Sequence, residues 1–371
     1  MRRGRILLVG AFPSESVSQV KGGVRRACSL LERSQYFQEF DYDVVDSTQK
    51  SYPAPGVATR ALFALMRLFR VFNIVRKWKP DMVLLFCTNG LSFYEKSLMG
   101  IIVQCLGSRS VLFPRGSAQF LIYPRLNDLS GIFLRPANLV LCQGEIVRDF
   151  IQSSYQVPES RLSVIENWTA TDILLQIGRD RQYSSEGVRR VLFVGWLEQA
   201  KGTDNLVDVA QYLSKSSYDC ELHIVGDGSR KGELAEELRD YVLEGQVIFH
   251  SWINEDELRE LYSSCHIFFL PSWTEGLPNS LIEAMSAGLV PVTTPVGNIP
   301  SVIESGANGF LCPVKHSEAM ITRIDGLLSD PERLHHMSSA AKHTAESRFS
   351  TQENINKLIT ITHGVIGGEF D

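Results

Sequence analysis

Short apolar runs alternate with amphipathic segments along most of the chain. Runs such as 5–12, 81–90, 137–144, 190–197 and 267–273 are rich in branched and aromatic residues and contain a Gly or Pro near their ends, which is typical of buried strands. The segments between them repeat apolar residues at helical spacing. Strands that alternate with helices in this way predict an α/β fold with doubly wound parallel sheets.

A polar stretch divides this pattern into two halves. Residues 176–189 show no apolar period, and the alternation of strands and helices starts afresh after them. The 371 residues also exceed what one ordinary core accommodates. We therefore predict a first domain at 1–178 and a second at 187–349, with a linker between them.

Composition and charge narrow the class of protein. The formal net charge of -5 argues against a dedicated nucleic-acid binder. The seven cysteines are scattered without zinc-site spacing, which predicts buried free thiols in a reducing compartment. The first apolar run, residues 6–9, is too short for a signal peptide, and no run is long enough to span a bilayer. These features predict a cytoplasmic protein. His223 and His250 lie in strand patterns and are predicted to be structural.

The sequence LPSWTEGLPNSLIEAMSAG combines an anion site with two carboxylates. A buried strand ends at Pro271, and a tight loop leads into a helix near Ser280, where the first backbone N–H groups are available for an anion. Gly276 lets the backbone approach a ligand closely. Glu275 and Glu283 flank the loop, and carboxylates in such a place accept hydrogen bonds from hydroxyls.

A nucleotide sugar satisfies both demands, because its phosphates lie between two hydroxyl-rich groups. Open parallel sheets bind ligands at the carboxyl ends of their strands, and two such sheets facing each other form a cleft. On spacing alone a second interpretation is equally open. In that interpretation Glu283 only complements the helix dipole and Glu275 is a loop charge.

The same segment resembles the E-x7-E region of the retaining glycosyltransferases of family 4, which have the GT-B fold. The likeness covers roughly the whole second half, from VLFVGWLEQAKG to TPVGNIPSVIESGANGFLCPV. The first half matches only through Gly22-Gly23 and FPRGS. The resemblance implies two Rossmann-like domains facing across a cleft, with the C-terminal helix at 350–371 returning to the first domain.

The resemblance also implies a role for each matching position. Glu275 would contact hydroxyls of the donor sugar, and Glu283 would hold the ribose. Lys201 would neutralise the diphosphate, where charge grows in the transition state. Arg115 occupies the place of a first-domain His and is a further catalytic candidate. The other donor-binding candidates supply backbone contacts and tight turns: Gly276, Leu277, Asn279, Ser280, Gly202, Gly22, Gly23, Gly226, Asp227 and Gly228.

The implied reaction moves a sugar from a UDP- or GDP-linked donor to a hydroxyl, with retention at the anomeric carbon. The family needs no metal, and no cofactor is expected. The leaving diphosphate is expected to help deprotonate the acceptor, so no protein base is nominated. The expected partners are the nucleotide sugar and a saccharide or lipid-linked acceptor of surface-polysaccharide assembly, with no nucleic acid.

Three positions depart from the family pattern. Trp196 stands where an Arg usually binds phosphate, and Arg115, Arg25 and Arg230 are candidates to replace that cation. Arg115 itself replaces the His mentioned above, and Ser301 replaces a Glu. These changes fit an altered donor preference, and they also fit lost activity. A catalytically inactive nucleotide-sugar-binding protein and a nucleotide-sugar epimerase therefore stay open as alternatives.

The segment 58–79 is basic, aromatic and amphipathic. Arg60, Arg67, Arg70 and Lys77 recur near helical spacing between large apolar residues. Such a helix can lie on an anionic membrane surface, which would suit an enzyme with a lipid-linked acceptor. The favoured interpretation is a helix whose apolar side packs on the first sheet. Peripheral membrane contact is the alternative.

Overall fold

The computed structural model of the chain describes residues 3–12, 22–49, 55–88, 90–116, 128–182 and 187–370. The contacts separate two compact units. The first comprises Met1–Trp168 and Thr351–Asp371, and the second comprises Thr169–Ser350. The chain therefore passes from the first unit to the second after Trp168 and returns after Ser350.

The first unit is built on one parallel sheet. Its strands are β1 (Arg5–Gly10), β2 (Asp41–Asp46), β3 (Met82–Cys87), β4 (Arg109–Pro114), β5 (Leu139–Cys142) and β6 (Leu162–Val164). Their order is β2-β1-β3-β4-β5-β6, and every pair is parallel. All six residues of β3 are buried. A parallel sheet that is covered on both faces needs such a continuous apolar run.

The second unit repeats this architecture. Its strands are β7 (Arg189–Val194), β8 (Cys220–Val225), β9 (Val247–His250), β10 (Ile267–Leu270), β11 (Val290–Thr293) and β12 (Phe310–Leu311). They form a second parallel sheet in the order β12-β11-β10-β7-β8-β9. Both sheets are parallel and have helices inserted between successive strands, so the predicted α/β class with two doubly wound sheets is confirmed.

Helices connect the strands throughout. In chain order they are α1 (Gly23–Glu32), α2 (Tyr36–Glu39), α3 (Val57–Trp78), α4 (Leu91–Cys105), α5 (Asp128–Leu134), α6 (Glu145–Tyr155), α7 (Asp172–Asp180), α8 (Thr203–Leu213), α9 (Lys231–Glu237), α10 (Arg239–Leu243), α11 (Glu255–Ser264), α12 (Asn279–Ser286), α13 (Ser317–Leu328), α14 (Pro331–Phe349) and α15 (Thr351–Gly367). Within the described ranges, none of these helices is long and apolar enough to cross a membrane.

The last helix completes the core of the first unit. Ile355, Leu358 and Val365 of α15 are buried in the same cluster as Ile6 and Leu8 of β1. The helix therefore covers one face of the first sheet, although the whole second unit separates it from β1 in sequence.

The predicted linker at 176–189 is partly wrong. The helix α7 continues to Asp180, because Leu174 and Leu175 are buried in the core of the second unit. The hydroxyl of Thr171 accepts a hydrogen bond from Leu174 N and caps the first turn. Residues 183–186 of the predicted linker lie outside the described residues.

Candidate functional site

The candidate site of the second unit lies at the carboxyl edge of its sheet. The loops that follow β7, β8, β9 and β10 all begin at this edge, because neighbouring strands in the sheet are parallel. Ligands of open α/β sheets bind at this edge. The predicted residues of the second unit lie on three of these loops and on α12.

The loop between β10 and α12 is held in shape by its neighbours. The hydroxyl of Thr294 donates to Ser272 O, and Asn298 N donates to Gly276 O over 2.8 Å. Gly297 has φ +58°, and a Cβ there would lie 2.2 Å from Glu275 O. The neighbouring loop therefore comes close to the Glu275 backbone only because residue 297 is glycine.

The helix α12 begins at the end of this loop. Its first residues are Asn279 and Ser280, and Leu277 immediately precedes the N-cap residue Pro278. Pro278 has no polar side chain, so it supplies no side-chain cap to the amides of the first turn. The hydroxyl of Ser280 donates to Val194 O over 3.2 Å, which joins α12 to the end of β7.

Lys201 and Glu275 form an ion pair across two of the loops. Lys201 Nζ lies 2.5 Å from Glu275 Oε1, and Ser272 Oγ donates to the same oxygen over 2.7 Å. The side chain of Glu275 is 8% exposed and that of Lys201 is 24% exposed. The pair is therefore desolvated on the carboxylate side and open to solvent on the ammonium side.

Gly202 sets the position of Lys201. It has φ +71°, and a Cβ there would lie 2.1 Å from Pro271 O. Trp273 N donates to Ala200 O over 2.8 Å, which ties the same two loops together. Only glycine permits this close approach of the two backbones, and the approach brings Lys201 within reach of Glu275.

Glu283 is held from a different direction. It lies in the interior of α12, is 6% exposed, and accepts a hydrogen bond from the hydroxyl of Tyr262 over 3.2 Å. Sequence reasoning missed both Tyr262 and Ser272, the groups that orient the two glutamates. Ser272 had a usable signal, because it directly follows the strand end at Pro271. Tyr262 had none, because its partner lies on another helix.

The turn at 226–228 packs against the loop after β7. A Cβ on Gly226 would lie 1.9 Å from Gly195 O, and one on Gly228 would lie 2.4 Å from Leu197 O. Leu197 N donates to the carbonyl of Asp227 over 2.8 Å. The Asp227 side chain is about half exposed and pairs with Lys231 at 3.4 Å. Both glycines are therefore needed for close packing of the backbone.

Arg230 is a poor substitute for the missing phosphate cation. Its guanidinium pairs with Asp204, with Glu233 at 3.0 Å and with Glu237 at 3.6 Å. Three carboxylates thus compensate one positive charge. Trp196 occupies the expected position of the cation and contacts Trp252 instead.

Three predicted site residues belong to the first unit. Gly22 precedes α1 and Gly23 begins it. Arg115 follows β4, with its guanidinium 4.6 Å from the ring centre of Trp168 and 5.0 Å from that of Phe113. Its Nη1 is buried and has no hydrogen-bond partner among the described residues. Burial lowers the pKa of Arg115 to about 10, so the group is still a cation at neutral pH.

Most cysteines and two of the histidines have structural surroundings. All seven cysteines are free thiols; six are buried as predicted, and Cys105 is exposed. Burial raises the pKa of Cys265 to about 12, which keeps this thiol protonated and inert. His223 Nδ1 lies 3.1 Å from His250 Nε2, and His223 Nε2 lies 3.1 Å from Glu221. These histidines therefore pair within the second sheet.

The described part of the chain contains no group of three His, Cys, Asp or Glu side chains arranged to hold a metal ion. Asp41 and Asp43 lie two residues apart on β2, where both are exposed. Asp43 Oδ1 accepts a hydrogen bond from Val44 N.

Comparison with known proteins finds similar chains among glycosyltransferases. Residues 178–344 match the family described as glycosyl transferases group 1. An uncharacterized glycosyltransferase of Haemophilus influenzae is 34% identical over 180 residues, which cover 48% of this chain and 49% of that protein. The N-acetyl-alpha-D-glucosaminyl L-malate synthase of Bacillus anthracis is 29% identical over 251 residues, covering 66% of this chain and 64% of that protein. The matched region thus spans between about half and two thirds of these relatives.

The fold is also found among solved structures. HepE of Anabaena, crystallised in complex with UDP and glucose, superposes with a TM-score of 0.69 at 18% identity. The match covers 97% of this chain and 99% of that one. The chain has the GT-B fold, and its residues 178–344 are similar to the group 1 glycosyl transferases.

Proposed function

We propose that the second unit binds a UDP- or GDP-linked sugar and that the chain transfers this sugar to an acceptor hydroxyl with retention. The observation that carries the proposal is the ion pair of Lys201 and Glu275 next to the start of α12. A cation, a carboxylate and a helix N-terminus in one place match the diphosphate and the hydroxyls of a nucleotide sugar.

The donor gives each member of the ion pair a partner of its own. The diphosphate takes the Lys201 ammonium and the first-turn amides of α12, at Asn279 and Ser280. The sugar hydroxyls donate to Glu275, which Ser272 holds in place. The ribose hydroxyls donate to Glu283, which Tyr262 orients. Gly276 and Leu277 supply the close backbone approach between these groups.

Catalysis in this proposal is electrostatic. Negative charge grows on the leaving diphosphate, and Lys201 is fixed where it stabilises that charge. The leaving diphosphate accepts the acceptor proton on the same face, which gives retention without a protein base. The reaction needs no metal, because Lys201 and the helix amides supply the positive potential. Gly22, Gly23 and Arg115 are the first-unit groups proposed to act on the donor.

The proposal for the acceptor is based on the surface of helix α3 in the first unit. Its C-terminal half packs on the first sheet as the favoured interpretation of the sequence expected, with Val71 and Val75 buried, whereas no residue of its N-terminal half is buried. Four of its exposed apolar side chains are between 55% and 68% exposed and lie on one face at spacings of three and four residues: Leu62, Leu65, Met66 and Phe69. A large part of this helix therefore presents apolar surface to solvent.

The same face of α3 continues as a basic surface. Asn73 follows the apolar residues on this face, and the exposed side chains of Arg76 and Lys77 come after it. The helix contains no Asp or Glu. Arg67 does not contribute, because it donates to both oxygens of Glu95 at 2.7 and 3.0 Å. An apolar stripe that ends in exposed cations fits the surface of an anionic bilayer. We therefore include peripheral membrane contact and a saccharide or lipid-linked acceptor in the proposal.

Calorimetric titration tests the donor part of the proposal. UDP, GDP, ADP and CMP are titrated with and without magnesium into the wild type, into Glu283→Ala and into the exposed control Glu244→Ala. Selective binding of UDP or GDP that is independent of magnesium and lost only in Glu283→Ala supports the proposal. A folded wild type that binds none of these nucleotides would contradict it.

A second assay distinguishes sugar transfer from nucleotide binding without transfer. Binding without transfer is the alternative that Trp196 favours, because this residue replaces a phosphate-binding cation. Release of nucleoside diphosphate from UDP- and GDP-sugars is followed for the wild type, Lys201→Ala and the exposed control Lys215→Ala. The active enzyme loses about 10²–10³-fold in kcat only in Lys201→Ala. Nucleotide binding without turnover in the wild type would instead identify an inactive nucleotide-sugar-binding protein.

A further inference from the structure

Two tryptophans of the second unit meet at the carboxyl edge of the sheet. Trp196 follows β7 and Trp252 follows β9, and β8 lies between these two strands. The ring centres are 5.3 Å apart and the planes are at 80°, an edge-to-face pair. Neighbouring strands are about 4.8 Å apart, so the two side chains reach across the end of β8 to make this contact.

The backbone beneath this pair is tied to both strands that carry it. The turn at 226–228 follows β8, and Leu197 N donates to Asp227 O over 2.8 Å on one side. On the other side Gly226 N donates to His250 O over 3.1 Å. The two indoles and the glycine turn therefore form one connected element, which we call the aromatic wall.

The aromatic wall is only half-buried. Trp196 and Trp252 keep part of their surface exposed, whereas Trp168 of the first unit is fully buried. In an edge-to-face pair the edge of one ring meets one face of the other. A neutral indole at position 196 cannot neutralise phosphate as an arginine would. Stacking of a planar heterocycle is the contact for which such a ring is suited.

The order of the strands fixes where the aromatic wall lies along the site. From one side to the other the edge carries the Glu275 loop after β10, the Lys201 loop after β7, the turn at 226–228 after β8, and Trp252 after β9. A nucleoside diphosphate whose phosphates contact Lys201 extends along this edge. Its base then reaches the aromatic wall, which begins one or two strands from the Lys201 loop, a distance of about 5–10 Å.

From this arrangement we propose that Trp196 and Trp252 form the wall on which the nucleobase of the donor stacks. The proposal deepens the proposed function and rests on it, since it presupposes a nucleoside-diphosphate donor. The replacement of the expected arginine by Trp196 then exchanges a contact with the donor phosphates for a contact with the donor base.

Calorimetry with two kinds of probe, nucleoside diphosphates and inorganic pyrophosphate, tests the aromatic wall. UDP, GDP and inorganic pyrophosphate are titrated into the wild type, Trp196→Ala, Trp252→Ala and the aromatic replacements Trp196→Phe and Trp252→Phe. Removal of one stacking face is expected to weaken nucleotide binding about 5- to 150-fold, with most affinity kept in the Phe variants. Pyrophosphate binding is expected to stay unchanged. Trp78→Phe in the first unit is the matched control and is expected to bind like the wild type.

The outcomes separate this inference from the function on which it rests. Wild-type nucleotide affinity in both Ala variants overturns the aromatic wall and leaves the donor proposal intact. An equal loss of pyrophosphate binding also overturns it, because the tryptophans would then act on the phosphate site. A wild type that binds neither probe contradicts the donor proposal itself. Thermal melting of each variant confirms folding, and the Phe variants keep the test decisive if an Ala variant unfolds.

Discussion

Tyr262 on α11 donates a hydrogen bond to Glu283 on α12, with 3.2 Å between its hydroxyl and Glu283 Oε2. Both side chains are buried, so this bond helps to fix the orientation of the carboxylate. We expect Tyr262→Phe to weaken binding of the nucleoside diphosphate about fivefold, the effect of one hydrogen bond of about 1 kcal/mol.

Calorimetric titration of UDP or GDP measures this effect. Tyr212→Phe is the matched control, because it removes another bond from a tyrosine to a carboxylate, that of Tyr212 to Asp325, within the same unit. Equal affinity in Tyr262→Phe and the wild type would show that Glu283 does not need this support.

Gly202 should tolerate no side chain. Its φ is +71°, and a Cβ at this position would lie 2.1 Å from Pro271 O, so a substitution combines backbone strain with a clash. We expect Gly202→Ala to lower the free energy of unfolding by roughly 2–4 kcal/mol. Gly245→Ala isolates the strain, because residue 245 has φ +78° and open space around it, and should cost about 1–2 kcal/mol. Urea denaturation compares the two variants, and equal losses would contradict the proposed clash.

The exposed face of α3 should control membrane binding. We expect Leu65→Glu with Phe69→Glu to abolish cosedimentation with vesicles that contain anionic lipid, because a charge there opposes insertion of the apolar stripe. Vesicles of zwitterionic lipid should bind the wild type more weakly, since Arg76 and Lys77 then lack a partner charge.

The control for this experiment is Leu243→Glu, at a leucine of the second unit that is 79% exposed. It should bind vesicles like the wild type. Equal binding of the α3 double variant, or binding that ignores lipid charge, would rule out this surface as the membrane contact.

Acid should destabilise the second unit through three of its histidines, which are buried or partly buried. Arg190 N donates to His266 Nδ1 over 3.1 Å, and burial together with nearby arginines lowers the pKa of His266 from 6.5 to about 4. Between these two values the unfolded chain binds a proton that the folded chain does not. The free energy of unfolding therefore falls as the pH drops through this window, by up to ~3 kcal/mol for this group. Burial lowers the pKa of His223 and His250 as well, which acts in the same direction.

Urea denaturation at about pH 7.5 and about pH 4.5 measures this loss. His266→Asn should reduce the difference between the two values, and the exposed control His336→Asn should leave it unchanged. A wild type that is equally stable at both values would contradict the assigned protonation.

Most of the fold could be predicted from the sequence, but less of the candidate site could. Strands such as Ile267–Leu270 could be predicted, because a parallel sheet covered on both faces requires an uninterrupted apolar run, which here ends at Pro271. The helix α5, Asp128–Leu134, left no clear signal, because seven residues are too few to display a helical period. Glu275 and Lys201 could be nominated from motif position.

What the sequence could not show is which neighbours each side chain meets. The contact of Lys201 with Glu275 joins loops from two strands, and the bond of Tyr262 to Glu283 joins two helices. The same limit applies to α3, where periodicity indicates an apolar face but not whether another element covers it. The favoured packing of that helix is therefore confirmed for Val71 and Val75, which lie in the core of the first sheet, but it does not extend to Leu62 and Phe69, which are exposed.

The path of the chain through the two units has a consequence for how the protein is made. The second unit is one continuous segment, Thr169–Ser350, and can fold as soon as it has left the ribosome. The first unit cannot, since Ile355, Leu358 and Val365 cover Ile6 and Leu8 of its first strand. The half that is synthesised first is thus completed last, and a ribosome that stops before residue 351 releases a chain whose earliest strand is still uncovered.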